Sequence, residues 1–187
     1  MKAEKPVFDT LIVGGIEKES VVDGPGFRYT VFVQGCPRRC PGCHNPQLQS
    51  FEGGQELPLA ELAAALGANP LLDGLTLSGG EPFCQAGPCA ILAERVRAVG
   101  LSVMTYTGYR WEELLEQENA QEMRLLRATD ILVDGPFIMA ERDIDLRFRG
   151  SANQRLIDVR QSLAAGKPVI LPDDFSAVLY QAHRQKP

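Results

Sequence analysis

The feature that most constrains this chain is a regular alternation. Short apolar runs at Tyr29 to Val33, Leu75 to Ser78, Leu101 to Tyr106 and Ile131 to Val133 take turns with segments whose apolar residues recur at helical spacing. The helical pattern is clearest from Leu57 to Gly67, where Leu59, Leu62, Ala63 and Leu66 share one face and Gly67 ends it. Ala90 to Val99, Trp111 to Gln117 and Gln121 to Ala128 read as further helices. Strands separated by helices imply a parallel sheet with right-handed crossovers, so the class is α/β. In such a sheet the loops after the carboxyl ends of the strands gather on one edge, and the chemistry is expected there.

The remaining segments fit around that plan. Phe8 to Gly15 reads as a short first strand closed by glycines, and Val21 to Gly26 as a stiff turn in which Pro25 fixes φ. Arg155 to Val159 and Pro168 to Leu171 are strand-like, with a short helix or turn at Ser162 to Gly166 between them. Beyond Pro172 a peripheral segment is expected, helical from Phe175 to His183, with His183 solvated. A chain of 187 residues is expected to form one domain, its core about 8–171 and its tail 172–187.

Each strand is followed by an unusual loop. After the first buried run come Cys36, Cys40 and Cys43, three thiols at C-x3-C-x2-C spacing among Pro37, Pro41 and Gly42. A structural zinc site takes four protein ligands, and adjacent residues such as Cys43 and His44 rarely converge on one tetrahedral ion. Thiolates alone suit an iron–sulfur cluster, here a four-iron cluster with three protein ligands and one iron left open. The plain alternative is three unrelated reduced cysteines. A second loop, Ser78-Gly79-Gly80-Glu81-Pro82, lets a ligand approach backbone at the glycines and offers Glu81 as acceptor for a cation such as an ammonium group. It lacks the spacing and the lysine of a phosphate loop.

Charge and cysteine count limit the function classes. A formal net charge of -5 and a pI near 5.1 argue against a nucleic-acid groove. Five cysteines, an amino terminus without the apolar core of a signal peptide, and no apolar run of about 20 residues fit a reducing cytoplasm and no membrane span.

With the two loops in view, the sequence resembles the radical S-adenosylmethionine (SAM) enzymes, and within them the glycyl-radical-enzyme activases. The resemblance implies a partial, open parallel (β/α) barrel and a [4Fe–4S] cluster on Cys36, Cys40 and Cys43. The methionine amine and carboxylate of SAM would then chelate the fourth iron, with Gly79, Gly80 and Glu81 on the ammonium. Tyr106 and residues near Asn153 are the candidates for holding adenine, with Thr105 counted in the cofactor-binding set. One electron passed to the sulfonium would give a 5′-deoxyadenosyl radical that takes an unactivated hydrogen. Val22 to Arg28, Cys40 to Pro46, Tyr106 to Tyr109 and Phe148 to Arg155 bring the resemblance closest to activases of the anaerobic ribonucleotide reductase. The implied protein substrate is that reductase's large subunit, with a low-potential electron donor such as flavodoxin.

The chain departs from the wider pattern at two places. Gly42 stands just before the third cysteine, where many relatives carry an aromatic residue, and Cys84 and Cys89 are extra thiols, expected to be reduced side chains. Other readings are an activase for another glycyl radical enzyme such as pyruvate formate-lyase, a small-molecule radical enzyme resembling carboxy-deazaguanine synthase, and a non-catalytic iron–sulfur carrier or scaffold. For Asp23, Arg28, Asn153 and Arg155 two readings stay open. They shape the opening for a glycine loop, or Asp23 pairs with Arg28 and Asn153 caps a turn. Trp111 is expected to cover a helix–sheet seam.

Overall fold

A computed structural model describes residues 8–117 and 119–175. One seven-stranded sheet runs in the order β3-β1-β2-β4-β5-β6-β7. The strands are β1 (Thr10–Ser20), β2 (Arg28–Val33), β3 (Gln55–Pro58), β4 (Gly74–Gly79), β5 (Ser102–Tyr106), β6 (Ile131–Asp134) and β7 (Arg155–Asp158). The helices are α1 (Leu59–Ala68), α2 (Ala86–Ala98), α3 (Trp111–Glu116), α4 (Ala120–Ala128) and α5 (Val159–Ala165). Its two outer strands, β3 and β7, do not pair with each other, so the sheet is open.

The parallel sheet expected from the alternation is the central part only. β2, β4, β5 and β6 are parallel. β1 lies antiparallel to β2 and β3, and β7 antiparallel to β6. A parallel neighbour needs a crossover that returns to the same end of the sheet. Between β6 and β7 the chain forms only a single 3-10 turn, Met139–Glu141, so β7 starts where β6 stops, with Asp134 opposite Arg155. Residues 135–154 therefore stay on the edge where β2, β4 and β5 end.

Several local expectations change. The first strand is longer than expected and carries Gly14 and Gly15 inside it, at a register irregularity, rather than at its end. β3, a short polar edge strand, precedes α1 and carries little apolar signal. Pro168 to Leu171 forms no strand and contributes only an isolated bridge, Ile157 to Ile170. The tail helix expected from Phe175 to His183 lies, after Phe175, outside the described residues.

Strand alternation sorts the sheet into two faces. Tyr29, Val31, Val33, Leu75, Leu77, Val103 and Leu132 pack with Leu62, Leu66, Leu92, Val96, Leu125 and Leu126 of the helices. Trp111 is 1% exposed in that same core, as expected of a seam residue. Each such leucine fully buried contributes about 1.5–3 kcal/mol. The opposite face carries Met104, Ile131, Val133 and Leu156, covered by Phe175.

Arg28 is also fully buried. Its guanidinium donates to Thr76 Oγ1 at 3.1 Å and Ser102 Oγ at 2.6 Å, tying β2 to β4 and β5 at the ends opposite the cysteine loop. Burial lowers its pKa to about 10, with Asp130 and Asp73 opposing the shift. Gly74 makes the room, because a Cβ there would overlap Arg28 Nη1. No hydrogen bond joins Arg28 to the Asp23 side chain among the described residues. Instead, Asp23 gives its main-chain carbonyl to Thr76 Oγ1 at 2.9 Å.

Candidate active site

The cysteine loop begins where β2 ends and is fastened at both ends. Gly35 N donates to Leu48 O at 2.9 Å and Cys36 N to Gln49 O at 3.1 Å, while Gln34 Nε2 reaches Ser50 O at 2.6 Å. Inside the loop Cys43 N donates to Cys40 O at 3.2 Å, closing the turn that brings the second and third thiols to the same side. Gly42 needs its φ of +74°, and a Cβ there would lie 2.9 Å from Met139 Cε. Methionine from the β6–β7 loop thus fills the space beside the position where an aromatic residue was missed. His44 lies nearby in a tilted ring contact, its centroid 5.4 Å from that of Phe137.

The Gly-Gly-Glu loop is built against this one. Gly80 N donates to Val33 O at 2.7 Å and Glu81 N to Gly35 O at 2.8 Å, which extends the β2–β4 pairing into the two loops. A Cβ on Gly79 would lie 2.6 Å from Phe32 Cα, and its φ is +95°. Close approach of the two backbones is thus what the glycines permit here, beyond any approach of a ligand.

Glu81 is fully buried, and most of its lone pairs face protein. Oε1 accepts from Phe83 N at 3.1 Å and Thr107 Oγ1 at 2.9 Å, and Oε2 from Gly108 N at 2.8 Å. It ties the end of β4 to the loop after β5. Burial pushes its pKa up to about 7, partly offset by these same donors. A carboxylate has about four acceptor positions, so Oε2 retains capacity for one more donor.

These loops enclose one cavity of about 540 Å³. It is lined by Cys36, Cys40, Cys43, Gly79, Gly80, Glu81 and Tyr106, and on its far side by Phe137, Phe148, Arg149 and Gln154. The cysteines are half-buried and unpaired, and burial raises the Cys36 thiol pKa. No three His, Cys, Asp or Glu side chains among the described residues gather closely enough to hold a single ion. Three thiols of one loop line this cavity, and thiolates alone are the donor set that suits an iron–sulfur cluster.

Not every residue placed in the site by sequence lies there. Thr105 shares the parity of Val103 and faces the helices, where its hydroxyl meets Thr129 Oγ1 at 2.8 Å. Asn153 is spent on bracing: Nδ2 donates to Pro136 O at 2.8 Å, and Oδ1 accepts from Ser151 Oγ at 2.7 Å. That is the turn-holding reading, and Gln154 lines the cavity in its place. Arg155 is tied to Asp134, donating to Oδ1 at 2.9 Å, and to Glu112, donating to Oε2 at 2.9 Å, so it braces β6, β7 and α3 rather than the opening. Asp23 lines the cavity and Arg28 does not.

Arg38, inside the cysteine loop, belongs to a basic pair, Arg38-Arg39, that reads from sequence as a solvated face or as anion recognition beside the cluster. It pairs with Glu113 at 2.7 Å, and its guanidinium lies 4.3 Å from the Tyr109 ring centroid. Charge between two cysteines was its only sequence signal. The extra thiols separate: Cys89 is buried in the core, while Cys84 is exposed as a residue. Desolvation, then Glu81 and Cys36 close by, push the Cys84 pKa up to about 11. No helix among the described residues is long and apolar enough to cross a membrane.

Several known proteins are similar to this chain. Residues 22–157 match the family model described as a 4Fe-4S single cluster domain. The chain is 37% identical over 144 residues to the anaerobic ribonucleoside-triphosphate reductase-activating protein of Escherichia coli K12, covering 72% of this chain and 90% of that one. The protein of that name from Vibrio cholerae is 39% identical over 142 residues, covering 72% and 89%. That of phage T4 is 32% identical over 144 residues, covering 72% and 86%. Among solved structures, QueE from Escherichia coli overlaps 53% of this chain and 52% of its own with a TM-score of 0.39 and 16% identity.

Proposed function

Because the chain belongs to the family of anaerobic ribonucleoside-triphosphate reductase-activating proteins, we propose that it is the activase that installs a glycyl radical in such a reductase. It is in this reading an oxidoreductase of the radical SAM type, served by a low-potential electron donor such as flavodoxin. The observation that carries the reading is the shared cavity: three thiols of one loop and Gly79 to Glu81 of the adjoining parallel strand line the same space. The chemistry supplied by a [4Fe–4S] cluster and SAM bound together is one-electron cleavage of the sulfonium C–S bond, coupled to removal of a glycine α-hydrogen.

The chain's own residues do the rest. Cys36, Cys40 and Cys43 would hold three corners of the cluster and leave the fourth to the cofactor. Glu81, ionised above about pH 7, offers its remaining Oε2 lone pair to the cofactor's ammonium beside Gly79 and Gly80. Its bonds to Thr107 and Gly108 fix that acceptor relative to Tyr106, whose side chain faces the cavity from the end of β5.

The test is anaerobic. Cluster-loaded, reduced protein is mixed with SAM and the reductase encoded by the same genome, and the glycyl doublet is sought by EPR. A doublet is expected with wild-type protein. A doublet with pyruvate formate-lyase and none with the reductase would assign a different partner.

A further inference from the structure

Two guanidinium groups line the cavity, and they differ in what they have left to give. Arg149 is spent: Nη1 donates to Gln154 O at 3.4 Å, Nη2 donates to Asp173, and Nε is shielded by protein. Arg38 is not. Its Nη2 donates to Glu113 Oε2 at 2.7 Å and its Nε is likewise shielded. Nη1, however, has no hydrogen-bond partner among the described residues and is not one of their solvent-shielded polar atoms. The tie to Glu113 does not exhaust the charge, because the Glu113 side chain is 43% exposed and ion pairs so open to water are weak.

The position of Arg38 says what it can meet. A Cβ on Gly108 would lie 2.9 Å from Arg38 Cγ and 3.5 Å from Glu81 Oε2, so both side chains abut one bare glycine. Oε2 is the atom that Gly108 N engages at 2.8 Å and that keeps an acceptor position open. Arg38 is held in place by the Tyr109 ring, 4.3 Å from its guanidinium, and by Glu113. Yet no ion pair or hydrogen bond joins Arg38 to Glu81 among the described residues, although both line the same cavity. An anion and a cation fixed close together but unjoined are complementary to a ligand that carries both charges on neighbouring groups. The ammonium and carboxylate of an α-amino acid share one carbon and meet that requirement. A phosphate would answer Arg38 but be repelled by the Glu81 carboxylate.

We propose that Arg38 binds the α-carboxylate of the methionine end of SAM, with Nη1 as donor, while Glu81 takes the ammonium on the same carbon. Nη2 stays on Glu113, which aims the guanidinium. The assignment rests on the reading of the chain as a SAM-using activase. Its test is affinity, measured by anaerobic equilibrium dialysis on cluster-loaded protein, for SAM and for decarboxylated SAM, which keeps the ammonium and the adenosine but lacks the carboxylate. Arg38→Gln is expected to weaken SAM binding about 30-fold, as loss of one charge-assisted hydrogen bond would, and to change the affinity for the decarboxylated analogue by less than about threefold.

A loss for the analogue as large as that for SAM would make Arg38 a brace between the cysteine loop and α3 and overturn the proposal. No loss for either ligand would overturn it too. If the analogue binds wild-type protein too weakly to measure, or Arg38→Gln loads less iron, Arg38→Lys decides. Recovery of SAM affinity to within about fivefold of wild type is expected, and no recovery overturns the assignment. Arg38-dependent SAM binding by a wild-type protein that forms no glycyl radical would defeat the activase reading alone. Radical formation with Arg38-independent SAM binding would defeat this assignment alone.

Discussion

The two walls of the cavity are built by different means. On the β2–β4 side, Cys36, Cys40, Cys43 and Glu81 present side chains toward the space, while main-chain bonds between the loops hold them in place. On the β6–β7 side the main chain is irregular, and side chains do the holding, with Asn153 and Gln154 bonded to Pro136 and Gly135. The thiols at one wall are therefore free for chemistry, with Glu81 held by Phe83, Thr107 and Gly108 and keeping a single open acceptor position, and at the other wall the polar residues are scaffold. The difference teaches that a dense polar motif beside a site is not thereby a set of ligands. What matters is whether its donors and acceptors are already satisfied.

The contrast predicts opposite phenotypes. The largest effect is expected at the first wall: Cys36→Ala, Cys40→Ala and Cys43→Ala each abolish SAM cleavage and lower iron content, with the circular dichroism of the unloaded protein unchanged. Full SAM cleavage in any one of them breaks the ligand assignment. At the second wall Gln154→Ala removes three bonds and is expected to destabilise the protein by about 1–3 kcal/mol, seen in denaturant melts, while SAM affinity stays near wild type. A variant that keeps its stability but loses SAM would erase the distinction between the walls.

Glu81 sharpens the comparison by pH. Its folded pKa is raised to about 7 above the ordinary carboxyl value, so burying it favours the protonated form. The unloaded protein is expected to lose stability as pH rises from about 4.5 through 7. Only the ionised form neutralises an ammonium, so SAM affinity should rise about tenfold between about pH 6 and 8 and level off. Glu81→Gln should flatten both profiles, and an unchanged SAM profile in that variant would remove Glu81 from the ammonium's contacts. The smallest effect is expected for Thr105→Val, which faces the helices: at most about 1 kcal/mol of stability and no change in SAM binding measured by equilibrium dialysis.

Thr105 also shows how much was readable in advance. Strand period places 103 and 105 on one face and 104 and 106 on the other, so Thr105 and Tyr106 had to part company. The cysteine loop was legible because one short loop must carry all three thiols, and spacing alone reveals it. The antiparallel turn of β7 was also signalled, since Pro136 to Gly150 carries no helical pattern to make a crossover. What the sequence hid was the division of labour between Asn153 and Gln154. Neighbours in an irregular turn obey no period, and their directions depend on contacts with a loop far back in the chain. Likewise the raised pKa of Glu81 follows from its burial, against which the bonds from Gly108, Phe83 and Thr107 pull it down, and no local pattern records that burial.

Arg28 carries a lesson for transplantation. The chemistry-bearing loops look portable, a few residues each, yet the strands beneath them are pinned at the opposite end by one buried guanidinium that leans on Thr76 and Ser102. Gly74 must stay bare to admit it. Anyone moving the cysteine and Gly-Gly-Glu loops onto a foreign parallel sheet would have to bring this distant pair as well, or build another device that fixes three strands in step.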